Sequence, residues 1–273
     1  MDVNVHESFQ ETGELVHEIS SRAREAKGRG VSRSAFLATA TAGTAGVLAS
    51  SGALGAVIPR QTTATCGCSA VDIYNIAATA ELLAITMYYR SLVEPTDLPD
   101  VNSVANRNYF QAALTEEYIH YELLQSLGGK GLASHFYFPT TMFTSEPTFF
   151  NTLDALETAF VAAYLAAAKE FSGIVSSAIT KANPLLIGAA VQIACVEGEH
   201  RALGRVASGS NPPNNRYLES GEFKCVSDAV AALKPFLAGG SGFSGPYTVP
   251  SKAQVNAMAN PYGFSFFAPE PLA

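Results

Sequence analysis

"VQIACVEGEHRALG", residues 191–204, is an apolar run that reads as the buried face of a helix, yet it carries Glu197, Glu199 and His200. Burying a carboxylate or an imidazole is costly unless the group is paired or bound to a metal. Residues three apart on a helix share a face, whereas neighbours point about 100° apart. Glu197 therefore lies beside His200, and Glu199 points elsewhere. The pattern recurs in "TEEYIHYE", residues 115–122, where Glu117 stands three before His120 and Glu116 and Glu122 fall off that face.

Working outward, the chain reads as helices from residue 69. Ser69 and Asp72 resemble a capping box, and apolar spacing then runs to about Leu92. "EPTDLPD" (94–100) is a turn by composition. A second helical stretch covers about 103–127 and stops at Gly128-Gly129. Residues 129–147 hold glycines, prolines and aromatics without a helical period, a long connection for a compact domain. A third helix is expected over 148–177. Asn183-Pro184 then reads as an N-cap followed by proline at the first helical position, opening a fourth helix to about Val206. Four long helices joined short, long, short make two antiparallel hairpins with one long crossover between helices 2 and 3.

Residues 225–236 are expected to form a short C-terminal helix. The rest of 209–273 is Gly-, Pro- and Phe-rich and reads as an irregular tail that packs on the bundle. The expected organisation is an N-terminal segment at 1–60, a bundle at 61–208 and a C-terminal extension at 209–273.

Two helices carrying Glu-x-x-His form half of a carboxylate-bridged two-metal site; the other half is one glutamate from each remaining helix. Helix one offers Glu81 in "NIAATAELLAITMYY" (75–89), and helix three offers Glu157 in "LDALETAFVAAY" (153–164). Each sits alone among apolar residues with no basic residue four positions away. Glu81 precedes Glu117 by 36 residues and Glu157 precedes Glu197 by 40, distances that suit mid-helix residues meeting across antiparallel hairpins. Carboxylate oxygens and imidazole nitrogens suit iron or manganese better than metals that seek thiolates. Tyr88 and Tyr164 stand seven residues after Glu81 and Glu157, on the same faces; core packing is the simpler reading, hydrogen bonding to the site or a radical role the alternatives. His135 reads as a loop histidine, and Glu116, Glu122 and Glu199 as solvated or hydrogen-bonded flank residues.

The six-residue pattern, the helix order and the stretch "EGEHRAL" (197–203) resemble the ferritin-like superfamily, in particular the exported ferritin-like proteins grouped with desiccation- and stress-related proteins. The resemblance covers about residues 69–208. It implies an all-α, ferritin-like four-helix bundle in which Glu81, Glu117, His120, Glu157, Glu197 and His200 are metal ligands and form the catalytic centre. It also implies two iron ions per chain, or manganese, with dioxygen or peroxide as the small-molecule partner. The expected activity is Fe(II) oxidation or peroxide reduction. A dimanganese catalase-like enzyme and a non-catalytic structural or protective metal-binding protein are the alternatives.

Composition narrows the field. Hydrophobic residues make up 48% of the 273, charged ones 15%, which predicts a substantial core. A net charge of −7 and a pI near 5.3 argue against a nucleic-acid partner. A basic cluster (Arg22, Arg24, Lys27, Arg29 and Arg33) precedes an uncharged Ala-, Gly-, Ser- and Thr-rich stretch at 35–57, the pattern of an export signal. "SRSAFL" (32–37) resembles the twin-arginine pattern and departs from it at Ser34. The chain is therefore expected to be exported, periplasmic or extracellular; a single anchor is the competing reading, and membrane contact is expected only through this segment. Self-association into a homo-oligomer stays open. The four cysteines, 66, 68, 195 and 225, allow two disulfides in three connectivities; none forms a C-x-x-C pair, so structural or unpaired cysteines are expected.

Overall fold

The computed structural model describes residues 66–93, 97–216, 218–219 and 223–259. The export-signal expectation at 1–60 falls outside them. Four long helices, α1 (Ala70–Val93), α2 (Arg107–Ser126), α3 (Glu146–Phe171) and α4 (Pro184–Ala207), dominate the rest. The hairpins α1–α2 and α3–α4 pack into one all-α, ferritin-like bundle. α1 is long and apolar enough to cross a membrane, but most of it is buried inside the bundle, as in the core helix of a globular domain.

The helix starts follow from local chemistry. The Ser69 backbone N–H donates to Asp72 Oδ2 at 3.0 Å, and the Asp72 N–H returns a bond to Ser69 Oγ at 3.2 Å. This reciprocal box satisfies two of the orphan donors at the head of α1. At α4 the Leu186 N–H donates to Asn183 Oδ1 at 3.3 Å, with Pro184 preset in the first turn.

The crossover leaves α2 under tight constraint. Gly128 takes a left-handed φ of +95°, and the Gly129 N–H closes on Leu124 O at 2.8 Å. Two buried polar side chains of α1 then hold the chain: Asn75 Oδ1 accepts from Lys130 N–H at 2.8 Å, and Thr79 Oγ1 from Leu132 N–H at 3.0 Å. Gly129 lies against the α1 backbone, where an added Cβ would sit 2.8 Å from Leu124 O and 2.8 Å from Tyr74 Cβ. Neither neighbour is a flexible side-chain end. Gly129→Ala is therefore expected to lower stability by about 1–3 kcal/mol, measured as a lower midpoint in urea; an unchanged midpoint would show that the crossover shifts freely.

The structure departs from the sequence reading in four places. α2 begins at Arg107 rather than near 103, because residues 103–106 form a turn in which Asn106 N–H donates to Ser103 O at 3.3 Å and Ser103 Oγ at 3.2 Å. α3 ends at Phe171 rather than near 177. Gly173 takes φ +73°, and the chain beyond it bonds instead to residue 66, with Cys66 N–H to Val175 O at 2.7 Å and Ser177 N–H to Cys66 O at 2.8 Å. The crossover contains a strand, β1 (His135–Pro139), paired antiparallel with β2 (Phe243–Thr248) from the region expected to be irregular. A 3-10 turn (Val226–Asp228) leads into α5 (Ala229–Ala238), and α6 (Lys252–Ala259) follows β2.

The pairing has an apolar cause. Phe138 on β1 makes edge contacts with Phe143, Phe236 and Tyr247 at centroid distances of 5.4, 5.9 and 5.7 Å, so crossover and tail share one aromatic cluster. Cys66 is bonded to Cys225, while Cys68 and Cys195 are free thiols.

Candidate metal centre

Each of the four long helices sends acidic or imidazole groups into the bundle: Glu81 from α1, Glu117 and His120 from α2, Glu157 from α3, Glu197 and His200 from α4. All six are buried. They converge as two overlapping groups, Glu81, Glu117, His120, Glu197 and Glu117, Glu157, Glu197, His200, each with ligand atoms within 4.8 Å of one another.

Glu117 and Glu197 belong to both groups, and their oxygens divide between the histidines. His120 Nδ1 lies 3.6 Å from Glu117 Oε2 and 3.4 Å from Glu197 Oε1. His200 Nδ1 lies 3.2 Å from Glu117 Oε1 and 3.2 Å from Glu197 Oε2. The single glutamates close the two ends, with Glu81 Oε2 at 3.7 Å from His120 Nδ1 and Glu157 Oε2 at 4.0 Å from His200 Nδ1.

The surrounding hydrogen bonds aim these groups. Tyr88 on α1 donates to Glu157 Oε1 at 2.5 Å, and Tyr164 on α3 donates to Glu81 Oε1. Each tyrosine therefore serves the glutamate of the opposite hairpin. Sequence reasoning placed them on the right faces but favoured packing as their role. The other oxygen of each glutamate, Oε2, has no hydrogen-bond partner among the described residues; nor do both Glu117 oxygens, Glu197 Oε1 or His120 Nδ1. Buried groups left in that condition are rare unless an ion or water meets them.

Glu116, a flank residue whose partner the sequence did not reveal, joins the site. It accepts at 2.8 Å from His200 Nε2, 84 positions along the chain. A carboxylate on one imidazole nitrogen holds the proton there and leaves the other nitrogen free to ligate. The helical period put Glu116 off the ligand face correctly, but its reach to α4 depends on how the hairpins meet. Beside His200, the buried Arg201 is ion-paired to Glu219 of the C-terminal segment. Glu122 pairs with Lys252 of α6, and Glu199 is exposed. His135 lies on β1, outside the cluster.

The electrostatics are those of a proton store. Burial, then the charges of Glu197 and Glu81, push Glu117 well above the ordinary carboxylate range; burial and Glu197 do the same to Glu157. Burial opposes ionisation of Glu197 too, but the facing imidazoles of His120 and His200 outweigh it and hold that group at about 2. Burial would lower both histidines, yet the carboxylates facing them raise them well above the usual imidazole value. Tyr88 and Tyr164 are pushed up by burial and by Glu157 and Glu81 respectively, so both stay neutral donors. A cation entering the cluster would exchange with these protons.

The donor set fits metal ions: four carboxylates and two imidazoles, with unpartnered atoms turned inward. Such a set on four helices defines a bundle protein able to bind metal through carboxylate and histidine. Residues 69–210, just over half of the chain, match the family described as the ferritin-like domain, and the chain belongs to that family. Neither a curated protein nor a solved structure matches the chain.

Proposed function

We propose that the cluster holds two iron ions and that the protein is an exported oxidoreductase that oxidises Fe(II) or reduces peroxide in a stress-protective role. The observation that carries this reading is the sharing of Glu117 and Glu197 between two overlapping ligand groups. Glu81, Glu117, His120, Glu157, Glu197 and His200 would hold the ions, with Glu117 and Glu197 common to both ligand groups. Bound iron would supply the redox chemistry, two electrons shared between neighbouring ions.

The chain's own residues do the rest. Glu116 fixes the His200 proton on Nε2, so that Nδ1 faces the cluster. Tyr88 and Tyr164 hold one oxygen each of Glu157 and Glu81 and keep the other turned inward. Burial of all six groups keeps bulk water away, and the tyrosine hydroxyls place protons at its edge. The Cys66–Cys225 disulfide supports an oxidising compartment.

Protein purified without added metal should carry about two ions per chain, identified by mass spectrometry, and after loading with Fe(II) it should consume dioxygen or peroxide. Manganese in their place, with disproportionation of peroxide, would move the reading to a catalase-like enzyme. Metal-dependent thermal stabilisation without any turnover would leave a structural metal-binding protein and sink the enzymatic reading.

A further inference from the structure

Away from the bundle centre, three distant parts of the chain meet at a second cluster of ligating atoms. Cys66 precedes α1, Glu170 lies in the last turn of α3, and Cys225 caps the 3-10 turn before α5. Their ligand atoms lie within 4.8 Å of one another. Cys66 is buried, and its sulfur is bonded to that of Cys225, with Cα atoms 5.5 Å apart. Glu170 is fully buried. Its Oε1 accepts the Val226 N–H at 2.7 Å, which caps the 3-10 turn, but its Oε2 has no hydrogen-bond partner among the described residues.

Capping one backbone N–H requires one acceptor. It does not require a carboxylate with a second, idle oxygen in a group whose ligating atoms lie within 4.8 Å of two sulfurs. A buried ligand atom left without a partner calls for an ion or a water to meet it.

We propose that reduction of the Cys66–Cys225 bond turns this cluster into a site for one thiophilic divalent cation of the zinc type, held by Cys66, Cys225 and Glu170. A cellular dithiol would break the S–S bond, becoming a disulfide itself and leaving a thiol on each cysteine. The entering cation displaces both thiol protons and accepts Glu170 Oε2, while Oε1 keeps its bond to Val226. Two thiolates and a carboxylate match the ligand preferences of zinc, and water completes the tetrahedron. Before export, in a reducing compartment, the cation ties the segments that the disulfide ties afterwards in an oxidising one. The site is separate in place and in ligand type from the six-residue cluster, which contains no sulfur.

That difference makes the test specific. Full-length protein carrying Cys68→Ser and Cys195→Ser keeps Cys66 and Cys225 as its only thiols. It is reduced with a water-soluble phosphine, which takes an oxygen from water as the S–S bond breaks, and is titrated with cadmium as a probe for zinc. The ultraviolet charge-transfer band of cadmium–thiolate bonds reports this site and is silent for the carboxylate–histidine cluster. The expected result is a band that saturates near one cadmium per chain after reduction and is absent before it. Glu170→Gln, which keeps shape and the bond to Val226, should weaken cadmium binding at least ~10-fold, the loss typical of removing even a residue that supports a ligand. No band in reduced protein that retains its helical circular dichroism would overturn the site. A band that Glu170→Gln leaves unchanged would overturn it equally, because the carboxylate would then play no part.

Discussion

Glu117→Gln is expected to abolish metal binding and, at the same time, to raise the melting temperature of the chelator-treated protein. Both effects have one cause. Glu117 faces His120 with one oxygen and His200 with the other, so glutamine removes a charged ligand from both halves of the cluster. Bound metal should fall from about two ions per chain to background. With metal stripped away, the same carboxylate is a liability. Burial and the charges of Glu197 and Glu81 hold its proton affinity well above that of an exposed glutamate. Glutamine, neutral at every pH, removes that cost and should stabilise the stripped protein by roughly 1–3 kcal/mol at neutral pH.

The sign with pH follows. A carboxylate whose folded pKa is raised contributes fully below its unfolded value, near 4.5, and that contribution is lost as pH rises through the folded value. Stripped wild-type protein should therefore lose stability as pH rises above about 4.5 toward and past neutrality. Glu157, His120 and His200, all raised, act in the same direction. Glu117→Gln should flatten part of that slope. Thermal unfolding in chelator across this range, alongside metal analysis, checks both halves; a variant that keeps its metal would remove Glu117 from the ligand set, and one that melts lower when stripped would overturn the burial cost.

Removing the disulfide is the second large effect. The bond joins residues 159 positions apart and pins the start of the bundle to the turn before α5. Constraining so long a loop in the unfolded chain is worth ~3–5 kcal/mol. Cys66→Ser/Cys225→Ser should lower the urea midpoint accordingly while leaving metal content at the six-residue cluster unchanged, because none of those ligands touches the bond. An equal midpoint would mean that the Cys66–Val175 and Cys66–Ser177 backbone bonds already hold that edge. Loss of metal would mean that the staple also sets the alignment of α3, which carries both Glu157 and Glu170.

Much of this is legible in the sequence. The Glu197/His200 and Glu117/His120 pairs, the lone Glu81 and Glu157, and the caps at Ser69 and Asn183 are local features. A helical period records which residues share a face, and an N-cap acts within one turn, so neighbours in sequence carry that information. Helix ends were less legible where distant contacts set them. α3 stops at Phe171 because the next residues bond to Cys66, more than a hundred positions earlier.

By itself the sequence determined the four helices, their order and the inward faces on which Glu81, Glu117, His120, Glu157, Glu197 and His200 stand. Only the tertiary structure decided what lies opposite each face. It gave Tyr88 to Glu157 and Tyr164 to Glu81, set Glu116 on His200, joined Cys66 to Cys225 beside Glu170, and laid β1 against β2. The reason is geometric. Periodicity reports a direction around one helix axis, whereas a partner on another segment depends on how the hairpins pack and how long loops close, and no local window of residues records that.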